Sequence, residues 1–276
     1  MKKIFLFLIF SLIHIQNVHA SCFDSLKKDF FSQFPNEGSV TLSTGEVVNL
    51  PTHFIDAEGI NVIGTVSLEY AERNIKNKNL KPMILPGNRV LAFFTLILTK
   101  EHDFGPHNDF GVNIIVKSED SKVREDSRGP RLALANTAIA TDLFGDLPIS
   151  NQADREVWGL KKSDVQFRIK EEGSRRLIEM GNADGTIMVL DFEISKFIPA
   201  VPLVMKTFIY SVADQTRVAP TFFKGKFKMQ PGASHGSIYF NKNHEDGARL
   251  TSMDFRPLIW QYSSHIQGVY LREVDR

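Results

Sequence analysis

The stretch VLAFFTLILT, residues Val90–Thr99, is a nearly continuous run of β-branched, aromatic and aliphatic residues. Such side chains favour strands over helices. A strand that is half exposed alternates apolar with polar residues, whereas a strand buried on both sides reads as an unbroken apolar run. The stretch therefore predicts a strand that is covered on both of its faces.

The apolar segments elsewhere in the chain are short and often alternate with polar residues, which also favours strands. Four of them are predicted strands: Gly185–Ile194, Phe167–Ile169, Gly111–Val116 and Ser237–Phe240. Helical spacing is limited to three segments: Ser25–Phe34, Ser67–Ile75 and, more weakly, Pro202–Ser211. Few helices are left to cover a large sheet. We therefore predict an α+β fold, mainly antiparallel, in which a curved or closed β-sheet surrounds a central pocket.

The first 20 residues, MKKIFLFLIFSLIHIQNVHA, have the basic start, apolar centre and small closing residue of a secretory signal peptide. We predict cleavage after Ala20 and a single domain over residues 21–276, secreted or periplasmic. The alternative is lipidation at Cys22, but His19 stands where a lipidation signal usually has a leucine. No later segment is apolar enough to span a bilayer, which takes about 20 apolar residues.

Composition narrows the classes of partner. The chain has 33 Lys and Arg against 32 Asp and Glu, a formal net charge of +1. That balance does not indicate a basic surface that would bind nucleic acid. The single cysteine excludes an intramolecular disulfide. The charged segment Ser118–Pro130 predicts a solvated loop.

The segment ADREVWGLKKSDVQF, residues Ala153–Phe167, contains the adjacent lysines Lys161 and Lys162. A lysine is a nucleophile only when neutral, and its ordinary pKa of about 10.4 keeps it charged at neutral pH. Burial or a neighbouring cation lowers that pKa, as in acetoacetate decarboxylase, where a desolvated lysine forms a Schiff base.

The surrounding sequence resembles the acetoacetate decarboxylase-like superfamily. The stretch LFGDLPISNQADREVWGLKK, Leu143–Lys162, is similar to the family segment that ends in Arg-Glu-x-Trp-Gly-x-x-Lys, with Lys162 at the Schiff-base lysine. The stretch FGPHNDFGVNIIV, Phe104–Val116, is similar to its Gly-x-Tyr-x-Glu strand, with His107 at the tyrosine and Asp109 at the active-site glutamate. The resemblance implies a curved antiparallel sheet around a buried pocket, Schiff-base chemistry on a keto acid or other carbonyl compound, no cofactor, and homo-oligomers.

Carried over residue by residue, the resemblance implies two groups of site residues. The catalytic candidates are Lys162, Asp109 and Glu156, and the substrate-pocket candidates are Arg155, Trp158, Lys161 and His107. If Lys162 lies in an apolar pocket, desolvation lowers its pKa, whereas Asp109 would raise it. Were the lysines on a strand, Lys161 would point away from the pocket, and Arg155 and Glu156 would face opposite sides.

The chain departs from the family pattern at several positions. Asp154 stands for the glycine before Arg-Glu, Lys161 for a proline, and Ser163 for the second lysine that lowers the pKa of the first. No arginine around Asp56–Val62 matches the family's substrate-binding arginine. Among the possible activities, these departures argue most against decarboxylation, because the carboxylate of a keto acid would lack the arginine that binds it.

Other site classes have less support in the sequence. His102, His107 and Asp109 are close together but do not have a metal-ligand spacing, so we predict no metal. Ser234-His235 and Ser263-Ser264-His265 contain hydrolase residue types without the Gly-x-Ser-x-Gly elbow. Three hypotheses remain: a lysine-dependent carbonyl lyase, an exported protein that binds an apolar small molecule in the same pocket, and an interaction protein that uses the sheet as a scaffold.

Overall fold

The computed structural model describes residues 29–119 and 134–272. The predicted signal peptide, Cys22 and most of the segment Ser118–Pro130 lie outside the described residues. Within those residues, no helix is both long enough and apolar enough to cross a membrane.

Seven long strands form a closed barrel, because the first and last strands of the pairing order also pair with each other. In that order they are β7 (His107–Ser118), β6 (Arg89–His102), β3 (Thr52–Ser67), β16 (Arg256–Tyr270), β14 (Val218–Pro231), β13 (Val201–Ser211) and β8 (Leu134–Gly145). All neighbours are antiparallel except β8 and β13, which are parallel. The predicted closed, mainly antiparallel sheet around a pocket is confirmed.

Strand β6 contains the stretch Val90–Thr99, and it is covered on both faces as predicted. Alternate residues such as Ala92, Phe94 and Leu96 are buried in the main hydrophobic core. The residues between them, Phe93, Thr95 and Ile97, line a cavity inside the barrel. The unbroken apolar run is therefore explained by a strand that faces a core on one side and an enclosed pocket on the other.

A second sheet of four antiparallel strands covers one side of the barrel. Its strands are β10 (Gln166–Glu172), β11 (Arg175–Asn182), β12 (Gly185–Glu193) and β15 (Gly236–Phe240). Its buried face contributes residues such as Ile178, Met180 and Phe192 to the main core, where Phe192 stacks on Trp260 of β16. These strands match the predicted segments Gly185–Ile194, Phe167–Ile169 and Ser237–Phe240.

The remaining strands are short. They are β1 (Gly38–Thr41) and β2 (Val47–Leu50), which form a hairpin, β4 (Leu80–Pro82), β5 (Ile84–Leu85) and β9 (Lys162–Asp164). Strand β9 runs parallel to the end of β8 and pairs Lys162 with Leu143.

Three α-helices occur among the described residues: α1 (Leu68–Asn74), α2 (Pro148–Val157) and α3 (Glu245–Thr251). Helix α1 confirms the prediction for Ser67–Ile75, and the Ser67 hydroxyl caps it by accepting from the Tyr70 N–H. Of the predicted helix Ser25–Phe34, the described part contains only a short 3-10 turn, Phe31–Gln33.

The helix predicted over Pro202–Ser211 is wrong, because that segment is strand β13. Val204, Phe208 and Tyr210 are buried in hydrophobic clusters, while Met205, Thr207 and Ile209 line the cavity. Here the aromatic and β-branched residues are buried on both faces of a strand, which overrides the helix propensity of Leu203, Met205 and Lys206.

The strand geometry assumed for Arg155 and Glu156 is also wrong, because both residues lie on helix α2. Pro148 occupies the first turn of this helix, where its missing N–H costs nothing. The helix places Ser150 and Asp154 one turn apart on the same side. This change of secondary structure decides which residues reach the cavity.

Candidate functional site

Lys162 lies at the first residue of β9, and its side chain, 2% exposed, reaches inside the end of the barrel. The turn from α2 into β9 sets its position. Gly159 adopts a left-handed φ of +65°, a conformation that favours glycine, and the Leu160 N–H donates to the Asp154 carbonyl. Arg155 then donates from Nη1 to the Lys162 carbonyl at 2.8 Å. Arg155 therefore holds the backbone of the lysine rather than a ligand.

Two carboxylates contact the Lys162 amine. Nζ lies 2.7 Å from Oδ1 of Asp109 on β7 and 2.7 Å from Oδ2 of Asp154 on α2. Asp109 was a predicted site residue, and the structure brings it to Lys162. Asp154 was noted only as a departure from the family glycine, and the structure places it at the same amine.

These contacts determine the charge of the amine. Burial alone would lower the pKa of Lys162, but the charges and hydrogen bonds of Asp109 and Asp154 outweigh burial and raise its pKa well above the ordinary value. The expectation that burial leaves Lys162 uncharged is therefore wrong. The amine is sequestered from water, and it is an ammonium.

The pKa values of the two carboxyl groups shift in opposite directions. Burial would raise the pKa of Asp109, but Lys162 and His107 outweigh it and hold that pKa below the usual range. Burial raises the pKa of Asp154, and the charge of Asp109 adds to the rise, so Lys162 offsets it only in part. Asp109 is thus the firmly ionised member of the pair.

His107 lies behind Asp109. Its Nδ1 is 2.8 Å from the Gly105 carbonyl, and its Nε2 is 3.4 Å from Oδ2 of Asp109 and from the Ser150 hydroxyl. Burial lowers the pKa of His107, but the hydrogen bond and charge of Asp109 outweigh burial and raise it. His107 thus extends a row in which basic and acidic side chains alternate: His107, Asp109, Lys162 and Asp154.

Close packing around Gly145 holds this row together. A Cβ at residue 145 would lie 2.4 Å from Cε of Lys162, 2.7 Å from Oδ1 of Asp109 and 2.2 Å from Oδ1 of Asn151. Any larger side chain would displace the lysine. Asn151 of α2 in turn donates to the Gly145 carbonyl at 2.9 Å, which fixes this end of β8 to the helix.

The Lys162 amine and both carboxylates border a cavity of about 150 Å³ inside the barrel. Its walls are mainly apolar, with a few amide and hydroxyl side chains; examples are Phe93, Ile97, Leu143, Met205, Ile209, Phe227, Asn61, Asn113 and Gln261. A cavity of about this volume holds a molecule the size of benzene. The space therefore fits a small organic ligand next to the amine.

The other predicted pocket residues lie elsewhere. Lys161 is exposed, while Trp158 is buried in the core against Tyr270 and donates to the Leu271 carbonyl at 2.7 Å. Glu156 points away from the cavity and accepts from the Ser43 N–H at 2.9 Å and from the Ser43 hydroxyl. We therefore leave Lys161, Trp158 and Glu156 out of the site.

No group of three or more His, Cys, Asp or Glu side chains among the described residues is arranged to hold a metal ion.

Of the predicted site residues, Lys162 and Asp109 lie at the cavity, and His107 and Arg155 support them. Sequence reasoning missed Asp154 and Ser150 as site residues. Their signal was the spacing of four residues between Ser150 and Asp154, downstream of Pro148, which places the two on one face only if the segment is a helix.

Comparisons with known proteins agree with this architecture. No protein-family model matches the chain, and no curated protein matches it. Among solved structures, the chain is similar to acetoacetate decarboxylase from Legionella pneumophila, with 13% identity, a TM-score of 0.55, and coverage of 82% of this chain and 87% of that one. A second acetoacetate decarboxylase structure matches with 11% identity, a TM-score of 0.54, and coverage of 94% and 95%.

The enduracididine biosynthesis enzyme MppR complexed with pyruvate is also similar, with 12% identity, a TM-score of 0.50, and coverage of 83% of this chain and 92% of that one. At such identities the likeness establishes the fold alone. The chain has the acetoacetate decarboxylase-like fold.

Proposed function

We propose that this protein forms an imine between Lys162 and a small uncharged carbonyl compound, as the first step of a lyase-type reaction. The observation that carries the proposal is the position of Nζ: buried at the wall of the barrel cavity and 2.7 Å from each of two carboxylates that border the same cavity. MppR, which shares the fold, is complexed with pyruvate, a small carbonyl compound.

The charge of the site is compatible with an imine. An ammonium and a carbonyl combine to give a protonated imine and water, so a cation is present before and after the reaction. The carboxylates of Asp109 and Asp154 that stabilise the ammonium would stabilise the iminium at the same place. The raised pKa of Lys162 therefore affects how the proton leaves, rather than the stability of the product.

The same charges disfavour a keto acid. Two carboxylates and one ammonium border the cavity, and no arginine lines it within the described residues. A ligand carboxylate about 4 Å from one of these carboxylates would meet a repulsion on the order of 4 kcal/mol at an effective dielectric constant of about 20, and the one ammonium is already shared between Asp109 and Asp154. An aldol, dehydration or related step on a neutral ketone or aldehyde fits the site better than decarboxylation.

Trapping tests the proposal directly. We expect cyclohexanone with cyanoborohydride to add irreversible mass to the protein at Lys162, located by peptide mapping, and pyruvate or acetoacetate to react at least about 100-fold more slowly, as a difference of a few kcal/mol requires. Lys161→Met is the matched control, because it removes the adjacent exposed lysine and should leave the adduct intact. Absence of an adduct, or labelling of exposed lysines only, would contradict the proposal.

A non-catalytic binding function is the second candidate, and the ammonium state of Lys162 favours it. Held between two carboxylates, the amine could donate a hydrogen bond to a ligand carbonyl without reacting. In that case cyclohexanone would raise the melting temperature reversibly, by an amount that grows with the logarithm of its concentration above Kd. No mass would be gained with cyanoborohydride.

Export and assembly remain proposals. Residues 1–20 lie outside the described residues, and an intact mass of the protein recovered from the periplasm or medium tests cleavage after Ala20. Light scattering of the purified protein tests the homo-oligomer.

A further inference from the structure

We propose that Asp154 is the catalytic acid–base residue of this site, which accepts the proton of Lys162 and returns it to the carbonyl oxygen. This inference rests on the proposed imine-forming function. It concerns a residue that the family resemblance does not supply, because Asp154 stands where the related sequences have a glycine.

The Asp154 carboxylate contacts the amine and also borders the cavity. Its Oδ2 is 2.7 Å from Nζ, its side chain is 12% exposed, and it lines the cavity. Helix α2 supplies it from outside the barrel strands, one turn after Ser150, whose hydroxyl accepts from Nζ at 3.2 Å. A proton can therefore pass from Nζ to Asp154 without a bridging water.

The two carboxylates at the amine have different surroundings. Asp109 contacts two basic groups, Lys162 at 2.7 Å and His107 at 3.4 Å, whereas among the described residues the Asp154 carboxylate contacts one basic group, Lys162. Tyr270 lies near both carboxylates, and burial together with those two charges raises the pKa of its hydroxyl, so it stays neutral. His102, the other histidine nearby, has its pKa lowered to about 3 by burial first and then by His107, and is also neutral.

Carboxylates whose environments push their pKa values apart divide the tasks of a site. Asp109, with its pKa lowered, remains an anion and stabilises the cation throughout. Asp154, with its pKa raised, requires less free energy to take a proton.

The steps balance. Nζ–H transfers a proton to Asp154, and the freed lone pair attacks the carbonyl carbon. A C–N bond forms, and the C=O π electrons move to oxygen, which takes the proton back from Asp154. Asp154 then removes a second proton from nitrogen and gives it to the hydroxyl, which leaves as water while the C=N bond forms. Asp154 ends as it began, and the products are the iminium and one water.

The test is the pH profile of cyclohexanone trapping in Asp154→Asn. At pH 7 we expect the trapping rate to fall at least about 100-fold, the range for loss of a general acid–base group. The rate of the variant should then rise about tenfold per pH unit, because its amine must lose the proton to solvent. The wild-type rate should be nearly flat at neutral pH and fall only as acid protonates Asp154. The control is Asp184→Asn, which removes an exposed carboxylate in the β11–β12 turn.

The outcomes separate the two proposals. If the wild type forms no adduct, the proposed function fails. If the wild type forms the adduct and Asp154→Asn matches its rate and pH profile, the role of Asp154 fails. A measurement without any variant gives an independent check: NMR titration of the ¹³C-labelled carboxyl groups should show Asp154 protonating at a higher pH than Asp109, and the reverse order would overturn the assignment.

Discussion

Two buried ion clusters among the described residues differ in their surroundings: the cluster around Lys162 borders the barrel cavity, and the pair of Arg176 and Glu58 does not line it. Lys162 is held by Asp109 and Asp154 at the end of the barrel interior. Arg176 of β11 and Glu58 of β3 form the other, where the four-stranded sheet packs on the barrel, with Nε 2.9 Å from Oε1. Both cations are buried, with exposed side-chain fractions of 2% and 10%.

The difference lies in the chemistry of the cation and in the space beside it. A guanidinium does not lose its proton in a protein, whereas a lysine amine can. Arg176 and Glu58 lie outside the set of cavity-lining residues, whereas Lys162 and both of its carboxylates belong to it. A buried ion pair alone indicates little about function. A buried amine next to a ligand-sized space indicates a reaction site.

The largest expected effect comes from Lys162→Met. Trapping of cyclohexanone should be abolished, and the free energy of unfolding at pH 7.5 should fall by about 3–5 kcal/mol, because buried Asp154 loses its basic partner and Asp109 loses one of two. Without Lys162 the pKa of Asp154 in the folded state should exceed its unfolded value further, because burial and the charge of Asp109 both raise it. Its protonation then favours folding, so the loss should shrink as pH falls towards 5. Urea unfolding at both pH values measures this, and a loss that is independent of pH would contradict it.

Arg176→Met should lower stability and leave the chemistry intact. Glu58 would lose its main partner in a buried position, at a cost of about 3 kcal/mol. Trapping at Lys162 should keep the wild-type rate, because neither member of this pair borders the cavity. Unfolding curves and adduct mass measured on the same preparation provide the comparison. A trapping defect in folded Arg176→Met would mean that the two clusters are coupled.

Gly145→Ala tests the packing on which the active cluster depends. The new Cβ would overlap Cε of Lys162 and Oδ1 of Asp109 unless both move. Misplacement by about 1 Å can cost about 100-fold in rate, and overpacking costs about 1–3 kcal/mol in stability. The trapping rate at saturating cyclohexanone and a melting curve measure the two effects. An unchanged trapping rate would show that the amine tolerates displacement.

The comparison also shows what the sequence could reveal. The run Val90–Thr99 predicted the two-sided burial of β6, because burial on both faces leaves a local signature in the residues themselves. Lys162 and Asp109 were identified through their neighbouring motif residues, although they are far apart in the chain. Nothing local, however, could have paired Glu58 with Arg176, since that contact depends on how the second sheet packs on the barrel.

Asp154 was missed for a different reason. Strand geometry is assumed for Arg155 and Glu156 in the sequence analysis, and on a strand Asp154 has no defined relation to Ser150. On helix α2 the two lie on one face and contact the same amine. The charge of Lys162 depends on this contact as well, because Asp154 raises the pKa of the amine together with Asp109, against the effect of burial.

Glu156→Gln should have the smallest effect, although the resemblance made Glu156 a catalytic candidate. Its carboxylate accepts from Ser43 and Gln152 on the outer side of α2, so it fixes the turn between β1 and β2 rather than the amine. The trapping rate and its pH profile should match the wild type. Asp154→Asn, two residues earlier on the same helix, serves as the contrast. A trapping defect in Glu156→Gln would show that contacts on the outer face of α2 affect the reactivity of Lys162 on its inner face.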